Sequence, residues 1–173
     1  MKMKQKLLIS SAAIAMTGLL STGVNAAAVD GNATAELIEP LVINETNVMN
    51  FGTLAAGSLV STVVMDTSGG LTTPTGDATI ISGTPSAGAF TISGESSTLV
   101  DITISSSGTL TNGSEIITVD NFTDTSLGVP VSLDGSGGLI VSVGATLNLA
   151  ADQAGGTYTT VGGAPFTVTV NYN

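Results

Sequence analysis

The 173-residue chain has no Cys, no His and no Trp, and its only basic side chains are Lys2, Lys4 and Lys6. Each absence closes a class of function. Without Cys or His there is no thiolate or imidazole for proton transfer, nucleophilic attack or zinc binding. Serines are abundant, but activating one needs a His or Lys, and neither occurs beyond residue 6. Without Lys or Arg there is nothing to neutralise phosphate, so nucleic acid is excluded as a partner. The six aromatics (Phe51, Phe90, Phe122, Tyr158, Phe166 and Tyr172) are too few for the two interfacial girdles of an outer-membrane barrel. Without Trp, the usual platform of a sugar-cleaving site is also missing. The composition reads as non-enzymatic.

The three lysines open an export signal. A basic stretch (Met1 to Lys6) precedes an apolar run from Leu7 to about Leu20, and the small residues Val24 and Ala26 mark a cleavage site after Ala26. That run is short of the ~20 residues a membrane span requires, and no other segment qualifies, so no transmembrane anchor is expected after cleavage. The expected organisation is a signal peptide over 1–26, an extended strand over 27–37 and one domain over 38–173. Cleavage leaves 173 − 26 = 147 residues with 13 carboxylates and no basic side chain, a side-chain charge of −13. Such a protein is expected outside the cell or on its surface. With no disulfide available, its stability must come from packing and sheet hydrogen bonds.

What is abundant is Thr, Val, Ile, Ser and Gly, the residues of strands and turns. Phe166, Val168, Val170 and Tyr172 alternate with Thr167, Thr169 and Asn171, so one face of a terminal strand enters a core. Further strands are expected at Leu59–Met65, Thr79–Ser82, Ala89–Ser93, Leu99–Ser105, Glu115–Asn121, Leu139–Val143 and Thr146–Ala150. Turn clusters separate them at 68–70, 84–86, 111–114, 134–138 and 155–156. Asp66-Thr67-Ser68-Gly69 is one residue off the Asp-Thr-Gly of aspartic proteases and has no second copy, so it reads as a turn. Many short strands at this spacing predict an all-β, antiparallel sandwich.

A second alternation opens the processed chain. Ala27, Val29, Gly31, Ala33, Ala35 and Leu37 occupy every other position, with mostly polar residues between. Pro40 follows and lacks a donor N–H, so its surroundings belong at a sheet edge or a break between strands. The alternating segment suits first of all a strand of its own domain, and it also suits a strand added to a neighbour's sheet.

The pieces Ala33-Thr34-Ala35-Glu36-Leu37-Ile38-Glu39-Pro40-Leu41-Val42-Ile43 and Met49-Asn50-Phe51-Gly52-Thr53-Leu54 resemble the opening of the bacterial secreted family catalogued as domain of unknown function 4402. Val143-Gly144-Ala145-Thr146-Leu147, Gly155-Gly156-Thr157-Tyr158 and the closing Phe166–Asn173 resemble its end. The same opening and ending are similar to spore-coat-U-type pilins of archaic chaperone–usher systems, although this chain lacks their Cys. The pilin resemblance implies an incomplete immunoglobulin-like sandwich that polymerises by strand exchange, with a periplasmic chaperone and usher as partners. On that reading Val29, Gly31, Ala33, Ala35 and Leu37 are donated, and Phe166, Val168, Val170 and Tyr172 border the acceptor edge. No catalytic residues follow from either resemblance.

The other reading is a self-complete, monomeric secreted binding or adhesion module. No cofactor is expected. Only a hard, oxygen-seeking cation such as Ca²⁺ fits a chain without His or Cys. Asp120-Asn121-Phe122-Thr123-Asp124 and Asp134 offer oxygens, but no Asp-x-Asp-x-Asp-Gly series exists, and these residues read as turn caps.

Overall fold

The structure is a computed structural model, described for residues 26–173. The expected export signal lies, but for its last residue, outside these. The chain divides into two units after Glu36. Residues 26–36 form no strand, and each of them is exposed.

The second unit contains strands and no helix among the described residues. In chain order they are β1 (Val42–Asn47), β2 (Thr53–Ala55), β3 (Ser61–Met65), β4 (Thr79–Ser82), β5 (Gly88–Ser93) and β6 (Leu99–Ile104). There follow β7 (Ser107–Thr111), β8 (Ile116–Asp124), β9 (Val131–Ser132), β10 (Gly138–Leu149) and β11 (Val168–Tyr172). The larger sheet has the order β1-β5-β10-β8-β7, with β3 beside the second half of β10. The smaller has the order β11-β6-β9, and β2 pairs β4 in a separate ribbon. Every pairing between these strands is antiparallel. Consecutive strands here can be joined by short turns, which suits a sequence dense in Gly, Ser, Asn and Asp.

β10 organises the domain. Its first half pairs β5, its second half pairs β3, and its other edge pairs β8. Its inward side chains feed both parts of the core. Ala145, Leu147 and Leu149 join Val63, Met65, Ile117 and Val119, whereas Val141 and Val143 join Ile92, Val100, Ile102 and Leu133. The second group fills the space between the larger sheet and β6 with β11. The protein is thus an all-β antiparallel sandwich of the immunoglobulin-like kind.

Two expected strands, Leu139–Val143 and Thr146–Ala150, are one. Gly144 reads as a break but lies inside β10, where a Cβ would collide with the backbone of Met65 and Asp66. A glycine within a strand marks such a close backbone approach. Strand pairing begins later than expected at three places, at Ser61 rather than Leu59, at Ile116 rather than Glu115 and at Val168 rather than Phe166. β1, β2, β7 and β9 are short strands without a clear period-two signal. β1 starts two residues after Pro40 and lies at a sheet edge, as the proline requires.

Two turns share one design. In Asp66-Thr67-Ser68-Gly69-Gly70, the Asp66 N–H donates to the Gly70 carbonyl (2.9 Å) and the Gly69 N–H to the Asp66 carbonyl (3.1 Å). The Ser68 and Gly70 N–H groups donate to Asp66 Oδ1 at 2.8 and 2.9 Å. Asp134-Gly135-Ser136-Gly137-Gly138 repeats this arrangement, with Asp134 Oδ1 accepting from Ser136 and Gly138 at 2.7 and 2.9 Å. Gly69 and Gly137 hold the left-handed positions, φ 86° and 78°. A carboxylate that caps two backbone donors fixes the turn locally.

Candidate functional site

The larger sheet ends at β1 and the smaller at β11, and these two edges border one groove. Leu41 and Ile43 from β1 and its approach pack against the same buried cluster as Val168, Val170 and Tyr172 of β11. All five side chains are only half-buried. The two edges run antiparallel to each other, because Tyr172 meets Glu39 at one end while Phe166 and Met49 line one hollow at the other.

The Tyr172 end is closed by hydrogen bonds. The Tyr172 hydroxyl donates to the Glu39 carbonyl at 2.6 Å and accepts the Glu95 N–H at 2.6 Å. The Glu39 N–H in turn donates to Glu95 Oε2 at 3.1 Å. Gly94 is required here, since a Cβ would meet the Tyr172 hydroxyl and, at 2.8 Å, Leu41 Cδ2. Glu39 is thereby held at the end of the groove.

The opposite end is open. A hollow of about 200 Å³ lies among Met49, Phe51, Phe90, Leu110, Val119 and Phe166. Phe166 stands edge-on to Phe90 with ring centroids 6.1 Å apart and tilted against Phe122 at 4.6 Å. β11 pairs only β6 among the described residues, so its other edge is unpaired. The direction of the spare hydrogen bonds follows from the register. The Ser105 N–H donates to the Thr167 carbonyl, and the Asn173 N–H to the Leu99 carbonyl, so odd-numbered residues face β6. By the alternation of an antiparallel ladder, Val168, Val170 and Tyr172 turn their N–H and C=O groups to the open side.

The chain matches the family described as Domain of unknown function (DUF4402) over residues 41–172. It belongs to that family. No curated protein and no solved structure matches the chain. The DUF4402 match begins at Leu41 and ends at Tyr172, the two residues that meet the closed end of the groove.

The residues singled out as an acceptor edge, Phe166, Val168, Val170 and Tyr172, therefore lie together along one groove wall. The other wall (Leu41, Ile43, Met49) and the floor residue Phe90 carried no signal for this role in the sequence. Leu41 and Ile43 are separated by apolar Val42, so no alternation marks one face of that stretch. Of the donor residues, Val29 is 94% exposed and Leu37 89% exposed. Gly31, Ala33 and Ala35 are exposed too.

The acidic oxygens have local duties. Asp124 Oδ1 accepts from Ser126 (N–H, 2.7 Å), Asp120 Oδ1 from Asn148 Nδ2 (2.9 Å), and Asp134 caps its own turn. Among the described residues no three His, Cys, Asp or Glu side chains gather as a metal site.

Proposed function

We propose that this DUF4402 protein is an exported, non-enzymatic structural subunit of the cell surface, which assembles by adding residues 27–37 of one copy to the sheet edge of the next. The observation that carries this reading is the groove between β1 and β11. Its walls present half-buried apolar side chains and a row of outward backbone groups. An uncovered edge of this kind invites another strand, and natural proteins ordinarily blunt it. β11 carries no charged or proline residue that would do so. The exposed segment 27–37 has the matching period of two, with small side chains in its middle. A strand supplied by a second chain would satisfy the backbone groups and cover the apolar wall. A chaperone that shields the groove before assembly is the partner such a subunit needs.

The non-enzymatic part rests on the residues themselves, since the chain has no His or Cys and no Lys or Arg beyond residue 6. Heated and unheated cell-surface material, from the full protein and from a variant lacking 27–37 with the signal retained, tests assembly by SDS gel electrophoresis. The expected result is a ladder that collapses only on boiling and disappears with the deletion. A single monomer band from the full protein would sink this reading in favour of a self-complete module.

A further inference from the structure

We infer that Asn112 is a self-modifying site. In the folded protein its side-chain amide is converted to a carboxylate through a cyclic imide with the Gly113 nitrogen, and this chemical ageing loosens the segment docked on the β7–β8 hairpin. Three observations lead to it.

The first is the residue pair at the turn. Asn112 is the only Asn of the chain that is followed by Gly. Ring closure requires the main-chain nitrogen of the next residue to reach the Asn side-chain carbon, and a side chain on that residue would obstruct it. Gly113 offers no obstruction. A Cβ built there would meet nothing within 4 Å, so water and hydroxide have free access. Its φ of 94° is one that glycine adopts at no steric cost.

The second is geometry. Asn112 Oδ1 accepts the Ser114 N–H at 2.9 Å and the Glu115 N–H at 2.8 Å. Both donors lie beyond Gly113, so the amide is folded back along the chain and its carbon is brought toward the Gly113 nitrogen. Thr111 Oγ1 accepts the Gly113 N–H at 3.0 Å and donates to the Glu115 carbonyl at 2.8 Å, which fixes the intervening peptide. Holding the two reacting groups in place removes much of the entropy cost of their meeting. The two N–H groups on Oδ1 are also placed to stabilise the negative charge that develops there as the ring closes.

The chemistry needs only water and hydroxide. Hydroxide takes the Gly113 amide proton, and the nitrogen forms a bond to Asn112 Cγ. The Cγ–Nδ2 bond breaks, and ammonia leaves with a proton returned from water. Water then opens the imide at either carbonyl. One product is Asp. The other is isoaspartate, in which the main chain runs through the former side chain and is one methylene longer.

The third observation is what this turn holds. The Thr111 N–H donates to the Thr159 carbonyl at 2.8 Å, and the Thr159 N–H to the Thr111 carbonyl at 3.1 Å. Glu115 Oε2 accepts the Ala154 N–H at 3.0 Å. Gly156 lies so close that a Cβ on it would stand 3.1 Å from Asn112 Nδ2. An added main-chain atom at residue 112 displaces Thr111 relative to Glu115, so the two attachments no longer fit together. The acceptor that capped Ser114 and Glu115 becomes part of the main chain as well.

The test ages the purified protein in mildly alkaline buffer, folded and, in parallel, unfolded in guanidinium chloride, with peptide mapping by mass and by isoaspartyl methylation. The expected result is conversion at Asn112 in the folded protein, at no lower rate than in the unfolded chain and ahead of every other Asn. Each conversion adds one negative charge on isoelectric focusing, and the rate rises with pH. Asn112→Gln, whose ring closure is one atom larger, is expected to persist unchanged. In the aged protein the Ala154 and Thr159 N–H groups are expected to exchange faster than in fresh protein. Asn112→Asp, which carries the charge without the added main-chain atom, is expected to keep the fresh pattern. A folded-state rate well below that of the unfolded chain overturns the inference, since the turn then holds the amide away from the nitrogen. Unchanged exchange at Ala154 and Thr159 after ageing, or equal loosening by Asn112→Asp, overturns the mechanical consequence.

Discussion

Leu127 occupies the place that Gly69 and Gly137 hold in the two matched turns. Asp124-Thr125-Ser126-Leu127-Gly128 follows the same plan, with the Ser126 N–H donating to Asp124 Oδ1 and the Leu127 N–H to the Asp124 carbonyl. Yet Leu127 sits at φ 56° and is 85% exposed. A side chain in that left-handed region is disfavoured by ~1–2 kcal/mol, and this one recovers little by burial. Leu127→Gly is therefore expected to stabilise the domain, by about 0.5–1 kcal/mol once the looser unfolded chain is counted. Thermal unfolding of the two proteins checks this. Lower stability in the variant would mean that Leu127 makes contacts that outweigh its backbone strain.

At the scale of elements, two turns and one link between distant segments depend on ionised carboxylates. Asp66 is held below the ordinary carboxylate range by the Ser68 hydroxyl first and then by the Gly70 and Ser68 N–H groups. Asp77 is lowered chiefly by the Leu59 N–H, with Ser58 assisting against partial desolvation. Asp134 is lowered by the Gly138 and then the Ser136 N–H. A group whose value is depressed in the folded state stabilises it above the unfolded value, about 3.9, and that contribution is lost as pH falls through the folded value. Stability is expected to be level above about pH 5 and to fall below about pH 4. The triple variant Asp66→Asn, Asp77→Asn, Asp134→Asn should be less stable at pH 7 and should show a shallower acid limb in denaturant titrations. An unchanged acid limb would place the sensitive carboxylates elsewhere.

The turns at Asp66 and Asp134 were readable from the sequence, because Asp, Ser and Gly act there through their immediate neighbours, whereas Asp77 binds Ser58 and Leu59 from far along the chain. Long alternating strands were readable for a similar reason, as in β5, β6 and β11, where burial alternates residue by residue. The short strands were not. β7 is Ser-Gly-Thr-Leu-Thr, and its role follows from the partner β8 and from the segment around Ala164, whose carbonyl accepts the Thr109 N–H. Gly144 could not reveal that it continues β10, since the collision it avoids involves Met65 and Asp66, far away in sequence. Half of the groove was legible for the same reason. The β11 wall is an alternating run, whereas Met49 and Phe90 become groove residues only when β1 and β5 pair.

For the whole molecule, charge sets the terms of the proposed association. Beyond residue 26 each chain carries 13 carboxylates and no Lys or Arg. Copies repel one another, and the repulsion reaches ~30 Å at 0.01 M salt but only ~8 Å at 0.15 M. Assembly of isolated subunits is expected to be slower in 10 mM than in 150 mM NaCl, measured by light scattering over time. Equal rates would show that the apolar groove alone governs encounter.

Under the proposed strand addition, the ladder between β1 and β5 would acquire a mechanical meaning. Tension arriving through a neighbour's strand in the groove leaves along the acceptor's own chain at Glu39, in line with β1. Val42, Ile43, Asn44, Glu45 and Asn47 are paired with β5 across that line of pull. Their hydrogen bonds lie perpendicular to the strand and so are loaded in shear, where they share the force and yield together. Pulling the sheet open from its edge would instead break them one after another. A protein without a single disulfide can in this way hold a load along one axis while remaining easy to peel along another.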